Sequence, residues 1–181
     1  MKKTSFFEAF LKNWREVGSI TPSSKFLVKK MLETVDFGNT EIIIELGAGS
    51  GIITRELLKK MSKGSKLVVF ETNKDFYSDL KKIDDARMVV YNQSALKLQE
   101  YLNDETIDYI ISGIPLATLE KSDKNDLLLL SYKSLKSKGK FIQFQYSLES
   151  KKDLEKVFDK VSTDFTPLNI PPAFVFSCLK K

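Results

Sequence analysis

Positions 41–51 hold the residues of this chain that are best suited to chemistry, Glu-Ile-Ile-Ile-Glu-Leu-Gly-Ala-Gly-Ser-Gly. The apolar run 42–44 predicts a buried strand. The glycines after it predict a turn whose backbone N–H groups can approach a ligand with no Cβ in the way. The spacing is G-x-G-x-G, which differs from the G-x-G-x-x-G of dinucleotide-binding turns. Glu45, directly before the turn, would repel a pyrophosphate and favours a ligand that carries an amino group.

Composition narrows the classes to which the chain can belong. None of the 181 residues is a histidine, so a general base must be a carboxylate, a Tyr, a Lys or a water. The single cysteine, Cys178, excludes an intrachain disulfide, and no apolar stretch is long enough to span a bilayer. The net charge of +5 is a weak bias, and only Arg15, Arg55 and Arg87 are arginines. We therefore expect a single-domain cytoplasmic protein and do not expect nucleic acid as a partner.

The elements that must position the glycine turn alternate between strands and helices. Strands are predicted at 41–46, 66–71, 87–91, 107–112 and 140–146, with helices between them. This alternation predicts a parallel, doubly wound sheet, in which ligands bind beyond the carboxyl ends of the strands. Two final strands, near 161–168 and 173–179, are joined by a connection too short for a parallel crossover. One of them must therefore run antiparallel.

Glu45 and the three glycines fill every position of the pattern E/D-x-G-x-G-x-G, and here the chain resembles the class I S-adenosylmethionine-dependent methyltransferases. The resemblance implies S-adenosylmethionine as the cofactor. It also implies an α/β, Rossmann-like seven-stranded sheet of order 3-2-1-4-5-7-6 with one antiparallel strand and N-terminal helices. On this basis we divide the chain into N-terminal helices at 1–36, which act on the membrane or as a lid, and a cofactor-binding core at 37–181.

Polar residues at the strand ends are the further candidates for cofactor binding. Glu71 follows the glycine turn by about 20 positions, where a carboxylate can accept both hydroxyls of a ribose. Ser94 stands where the family often has an Asp that reaches the adenine, so it could contact the base or only cap the next helix. The predicted cofactor contacts are Glu45, Gly47, Ala48, Gly49, Gly51, Glu71, Thr72, Gln93, Ser94 and Ser112.

The loop after the fourth strand reads Ser-Gly-Ile-Pro-Leu at 112–116. In methylases of adenine and cytosine amino groups this loop carries Asn or Asp followed by Pro-Pro-Tyr or a close variant, and the Tyr stacks on the base. The present loop has no aromatic residue, and it resembles the S-G-L-P-L segment of bacterial phospholipid N-methyltransferases. Three further segments resemble that family in the same order along nearly the whole chain, namely 10–24, 143–146 and 169–173.

The catalytic residues follow from this narrower resemblance. We expect the backbone of Ser112 and Gly113 to orient the amine and Pro115 to border it, with Tyr146 orienting or relaying the proton that the amine must lose. For Tyr146, an ordinary core position is an equally good interpretation. No metal ligand is predicted.

The first helix of the sequence favours a lipid substrate. Phe6, Phe7, Phe10, Leu11 and Trp14 form one broad apolar face that lysines and Arg15 can surround. Such a helix suits an anionic membrane surface, although packing on the sheet would need the same apolar face.

The sequence thus predicts an enzyme that methylates the amine of phosphatidylethanolamine or a related phospholipid. We expect a cytoplasmic protein that is peripheral at the inner membrane face. The alternatives are an RNA adenine or protein methyltransferase, or a non-catalytic protein that binds S-adenosylmethionine. The head group, the number of methyl transfers and the oligomeric state stay open.

Overall fold

The computed structural model describes residues 22–102 and 107–181, with side chains from Lys25 onward. The first predicted helix, with its aromatic face, lies outside these residues. The seven strands form one sheet. They are β1 (Ile42–Leu46), β2 (Lys66–Phe70), β3 (Met88–Tyr91), β4 (Ile107–Ser112), β5 (Leu135–Gln145), β6 (Lys160–Thr166) and β7 (Ala173–Leu179).

The order of the strands is β3-β2-β1-β4-β5-β7-β6, as predicted. Strands β1 to β5 pair in parallel, and β7 pairs antiparallel with both β5 and β6. The antiparallel strand is therefore β7, and β6 runs in the same direction as the parallel strands. The carboxyl ends of β1 to β6 consequently lie at one edge of the sheet.

Helices connect the parallel strands and cover both faces of the sheet. They are α1 (Pro22–Leu32), α2 (Ile52–Lys60), α3 (Lys74–Leu80), α4 (Lys121–Ser134) and α5 (Lys151–Val157). Two segments form 3-10 helices, Ala95–Tyr101 and Leu116–Thr118. Within the described residues the predicted elements are confirmed in type and order, apart from the 3-10 geometry of the segment after β3 and an earlier start of β5. The pairing register of β4 with β5 shifts between Ile107 and Tyr109, at this early part of β5.

Successive residues of β1 divide between two hydrophobic cores, because neighbouring side chains of a strand point to opposite faces. Ile44 and Leu46 pack with residues of α4 and α5. Ile43 packs on the other face with residues of α1 and α2. A strand that is covered on both faces reads as a continuous apolar run, which is why 42–44 contains no polar residue.

The part of the predicted N-terminal unit that the structure describes is packed onto the sheet. In α1, Leu27, Val28, Met31 and Leu32 are buried against the α2 face. Within the described ranges, no helix combines the length and the apolar character that crossing a membrane requires.

Arg87 ties the start of β3 to the end of α2. Its guanidinium donates to the carbonyl oxygens of Leu58 at 2.7 Å and Met61 at 2.7 Å. It is held there by Asp85, whose carboxylate accepts at 2.6 Å. Carbonyls in the last turn of a helix have no partner within the helix, so an external cation with several donors stabilises that end.

Arg87→Met should therefore lower the free energy of unfolding by about 2 kcal/mol, the usual value for hydrogen bonds to a charged group. Urea denaturation of the purified variant measures this. Lys82→Met removes an exposed ion pair with Asp79 and should change little. Equal stability of Arg87→Met and wild type would contradict the proposed tie.

Candidate active site

The three glycines after β1 all have positive φ, but each meets a different environment. Their φ angles are +70° at Gly47, +54° at Gly49 and +77° at Gly51. A Cβ at Gly51 would lie 2.8 Å from atoms of both Arg55 and Leu80. A Cβ at Gly49 would meet nothing within 4 Å. Gly51 therefore serves close packing, whereas Gly49 borders open space.

That space is a cavity of about 370 Å³ at the carboxyl edge of the sheet. Six of the ten predicted cofactor residues line it, namely Gly47, Gly49, Glu71, Thr72, Gln93 and Ser94. The structure thus brings together residues from the ends of three neighbouring strands. Ala48, Gly51 and Ser112 lie behind this wall and are not among the lining residues.

Glu71 is the polar centre of the wall. It is buried, and its carboxylate accepts from the backbone N–H groups of Gly49 at 2.8 Å and of Asn73 at 2.7 Å. These bonds hold the carboxylate between the glycine turn and the start of α3. Its position at the cavity fits an acceptor for two ribose hydroxyls, and this role stays a prediction.

Asn92 is a supporting residue that the sequence analysis did not identify. Its side-chain amide donates to the carbonyl oxygens of Glu71 at 2.8 Å and Thr72 at 3.0 Å. It therefore braces the segment that carries Glu71. The signal available in the sequence was an Asn directly after the third strand, which alone does not distinguish a brace from a turn residue.

Ser94 combines two features that the sequence left as alternatives. Its hydroxyl accepts from the backbone N–H of Leu96 at 3.2 Å and caps the 3-10 helix. Ser94 also lines the cavity. Capping is thus observed, and a contact with the adenine stays a prediction.

The β4 loop closes the cavity opposite Glu71 and touches the glycine turn. The N–H of Gly113 donates to Leu46 at 2.8 Å, and a Cβ on Gly113 would lie 2.7 Å from the carbonyl oxygen of Gly47. Gly113 and Pro115 line the cavity, as does Ile114 between them. Ser112 is fully buried, and its hydroxyl accepts from the N–H of Ile114 at 3.3 Å.

Two glutamines of β5 hold this loop and were missed from the sequence. Both are buried, and the side-chain amides of Gln143 and Gln145 donate to the carbonyl oxygen of Ile114 at 3.0 Å and 3.1 Å. Both lone pairs of that carbonyl are thereby used. Two buried amides at alternate positions of a core strand are a signal in the sequence, because buried polar groups need a partner.

Glu45 does not line the cavity but lies beneath α2. It is 1% exposed, and neither carboxylate oxygen has a hydrogen bond of standard geometry among the described residues. Burial raises the pKa of Glu45 to about 7, which the nearby Thr54 partly offsets and the charge of Glu71 reinforces. A contact of Glu45 with the amino group of a ligand stays a prediction.

Tyr146 lies one residue beyond β5, on the sheet face that α1 and α2 cover. It is half-buried and forms an edge-to-face contact with Phe144, with ring centroids 5.8 Å apart. Burial raises the pKa of its hydroxyl above the ordinary value. It is not among the residues that line the cavity, and its part in proton transfer stays a prediction.

The cavity contains two carboxylates, Glu71 and Asp123, and none of its described lining residues is Lys or Arg. Asp123 is exposed at the rim, in the first turn of α4. No group of three or more potential metal ligands occurs within 22–102 and 107–181. A wall of this charge suits a cationic ligand such as a sulfonium, and the open space beside Gly49 leaves room for it.

The sheet order, the turn with three positive-φ glycines and the cavity at the strand ends define a class I S-adenosylmethionine-dependent methyltransferase. The cofactor is S-adenosylmethionine. Residues 3–142 match the family described as "Ribosomal RNA adenine dimethylase", and the chain belongs to this family.

Relatives within the curated proteins differ in how much of the chain they match. An "Ornithine lipid N-methyltransferase" from Singulisphaera acidiphila is 27% identical over 96% of this chain and 93% of its own. A "Ribosomal RNA small subunit methyltransferase A" from Mycoplasma capricolum is 30% identical, over 54% of this chain and 40% of its own. The match to that ribosomal RNA methyltransferase therefore covers less than half of its length.

Solved structures share the fold at low identity. A 1,6-didemethyltoxoflavin-N1-methyltransferase from Burkholderia thailandensis superposes with a TM-score of 0.74 at 13% identity, covering 98% of this chain and 86% of that chain. The N-methyltransferase NodS from Bradyrhizobium japonicum superposes with a TM-score of 0.69 at 10% identity, covering 88% of each chain. Both support the fold.

Gly49→Val should weaken S-adenosylhomocysteine binding at least about tenfold, because a branched side chain is strained at this φ and fills the cavity. Titration calorimetry measures the affinity. Gly64→Val is the matched control, since a Cβ at Gly64 also meets nothing within 4 Å but Gly64 does not line the cavity. Wild-type affinity of Gly49→Val would exclude this turn as the binding site.

The raised pKa of Glu45 predicts a pH-dependent stability. Between its ordinary value of 4.5 and about 7, the folded protein keeps a proton that the unfolded chain releases. This contribution is complete below pH 4.5 and is lost as the pH rises through about 7. The free energy of unfolding should thus fall across this window, by roughly 3 kcal/mol for such a shift.

Denaturant melts of wild type and Glu45→Gln between pH 4.5 and 8 test this. The variant should lose the downward slope, whereas Glu41→Gln, an exposed control one residue before the same strand, should keep it. An unchanged slope in Glu45→Gln would show that another group carries the pH dependence.

Proposed function

We propose that the protein transfers methyl groups to the primary amine of a membrane lipid, such as phosphatidylethanolamine or a related amino lipid. The observation that carries the proposal is the charge of the cavity. Glu71 and Asp123 line it without any described Lys or Arg. Because Glu71 is assigned to the ribose of the cofactor, Asp123 at the rim is the carboxylate that remains for the substrate. It attracts an alkylammonium and repels the phosphates of RNA.

The shape of the β4 loop supports the same substrate class. The side of the cavity that this loop and α4 form is aliphatic, with Ile114, Pro115, Leu119 and Leu127. The aromatic lining residues, Phe70 and Phe76, come from β2 and α3. A nucleobase that is held out of its stack needs an aromatic surface to replace the lost stacking. An aliphatic amine needs only alignment and the loss of a proton.

The extent of the matches to the relatives supports a lipid as the substrate. The match with the ornithine lipid methyltransferase extends over nearly the full length of both chains, whereas the ribosomal RNA relative is matched over 40% of its length. The similarity thus includes the segments of the chain outside the glycine turn and β4 loop, where substrates differ within a fold.

The chain's own residues contribute mainly alignment to the reaction. When bound, S-adenosylmethionine supplies an electrophilic methyl carbon. The carbonyl of Ile114 is already bonded to Gln143 and Gln145, and that of Pro115 accepts from Thr118 at 2.9 Å. We therefore assign the orientation of the amine to the backbone of Gly113, which lines the cavity, whereas Ser112 directly before it does not line the cavity. Alignment of this kind can supply roughly 7–11 kcal/mol of the barrier.

The amine must be deprotonated before it attacks, because an alkylammonium has a pKa of about 10. Tyr146, with its raised pKa, is suited to hold a hydrogen bond and is a poor base at neutral pH. Asp123 at the rim can receive the ammonium and pass its proton to water. We assign the attraction of the substrate to Asp123 and an orienting role to Tyr146.

We also propose that the enzyme works as a peripheral protein on the cytoplasmic face of the membrane. The basis is the sequence of the first 21 residues, whose aromatic and basic side chains suit an anionic surface. A second candidate function is the methylation of RNA, which the description of the matched family favours.

The test is one assay with radiolabelled S-adenosylmethionine and three substrate pools. Wild type should label phosphatidylethanolamine or ornithine lipid in mixed micelles and leave ribosomal RNA and total protein unlabelled. Gly49→Val should label none of them, which controls for contaminating enzymes. Label in RNA with unlabelled lipid would contradict the proposal and favour the second candidate. Tight cofactor binding without label in any pool would favour a non-catalytic protein.

A further inference from the structure

The turn between β6 and β7 exposes large apolar side chains without any charge nearby in the sequence. Leu168 is 62% exposed and Ile170 is 79% exposed. Residues 165–179 contain no Asp, Glu, Lys or Arg, in a chain that is 29% charged. The apolar residues of β7 are accounted for by their burial in the core. The turn at 167–172 lies at the surface, so burial does not account for its apolar residues. Exposed apolar residues that cluster in this way mark an interaction site.

The turn is built to present these two side chains. Between them, Asn169 is buried, and its side-chain amide donates to the carbonyl oxygen of Pro171 at 2.6 Å. The inward Asn leaves its two neighbours pointing outward. Pro167, Pro171 and Pro172 have no backbone N–H, so the turn has few donors that would need water. A turn of this composition has fewer donors to desolvate when it enters an apolar phase.

The turn also lies at the edge of the sheet where the cavity opens. Strand β6 runs parallel to β4, so its carboxyl end and the β4 loop share this edge. Three strand spacings separate the two, roughly 14 Å. Phe165, at 52% exposure, and Leu148, at 48%, add apolar surface beside the turn. Leu148 follows β5, which is the neighbour of β7.

We infer that the β6–β7 turn, with Leu168 and Ile170 at its tip, inserts into the interfacial region of a lipid bilayer. This inference rests on the proposed lipid substrate and names a surface that holds the enzyme over it. Insertion of the tip places the carboxyl edge of the sheet, and with it the cavity, against the head groups. A lipid amine then reaches the β4 loop without leaving its monolayer.

Two observations favour a bilayer over another protein as the occupant. The exposed apolar side chains of this surface number four, two at the tip of the turn and two beside it, whereas a standard protein interface takes about 20–30 residues and roughly 800 Å² per partner. Lys151 and Lys152 follow Leu148 on the same edge and suit anionic head groups. Lys151 forms an ion pair with Glu155 at 3.7 Å, whereas the side chain of Lys152 is exposed.

A fluorescent label at the tip tests the insertion directly. Cys178 is fully buried, so Leu168→Cys offers one accessible thiol for an environment-sensitive dye. With vesicles of phosphatidylethanolamine and phosphatidylglycerol, the emission should shift to the blue and be quenched by brominated lipid chains. Leu129→Cys is the matched control, since Leu129 is 46% exposed on α4, and its label should not respond. An unresponsive label at position 168 would overturn the inference, whether or not the protein sediments with the vesicles.

A second variant separates the tip from the catalytic site. The double change Leu168→Ser and Ile170→Ser should lower kcat/KM on vesicle-embedded amino lipid at least about tenfold, because two apolar side chains lose their burial. Activity on a short-chain, monomeric phosphatidylethanolamine should stay at the wild-type value, and Leu129→Ser should match wild type on both. Equal loss of activity on both substrates would overturn the inference. So would a wild-type protein that light scattering shows to be a dimer, if the double change makes it a monomer while vesicle binding is unchanged. Absence of methyl transfer to any amino lipid would refute the proposed function, while the fluorescence experiment still decides on the tip.

Discussion

The site depends on a contact between two backbones, that of the glycine turn and that of the β4 loop. The N–H of Gly113 is bonded to Leu46, and the carbonyl of Gly47 leaves no room for a Cβ on Gly113. A side chain at Gly113 would separate the two loops, and one at Gly47 would press on the side chain of Ile114, 3.0 Å away. The amine-side wall of the cavity would then move away from the cofactor side. Methyl transfer requires the donor and acceptor atoms in line, so a separation of the two loops would lower the rate of methyl transfer.

Buried polar residues hold that contact in place. Gln143 and Gln145 fix the loop from β5, Asn92 fixes the segment of Glu71, and Glu71 itself binds the turn through Gly49. Each bond satisfies a group that would otherwise be buried without a partner, which is costly. The result is a preorganised cavity in which the side chains are held by the frame behind them. The two described arginines also serve the frame, since Arg55 donates to Ser50 and Gly51, and Arg87 to the end of α2. Neither of these two arginines lines the cavity.

Membership in the ribosomal RNA adenine dimethylase family and a proposed lipid substrate are compatible, because the family match ends at residue 142. The shared part contains the glycine turn, Glu71 and the β4 loop, to which we assign cofactor binding and the positioning of the amine. The glutamines of β5 and the exposed tip after β6 lie beyond it. A substrate is selected by what surrounds the reacting atoms, and on this chain the cavity has a carboxylate, Asp123, at its rim and an aliphatic side formed by the β4 loop and α4.

The local pattern of the sequence determined the fold class, the antiparallel hairpin and most of the predicted cofactor residues that line the cavity. The strand order came from the resemblance to a known family. Strand periodicity and glycine spacing are local properties, and six of the ten predicted cofactor residues line one cavity. The tertiary structure alone decided the rest. It placed Asp123 of α4 at the rim, directed two glutamines of β5 to one carbonyl, and buried Glu45 beneath α2. These arrangements join residues as far apart in the chain as Gly47 and Asp123, which line the same cavity. Which face of the sheet or which loop a side chain meets is set by packing between elements, a property that no short stretch of sequence contains.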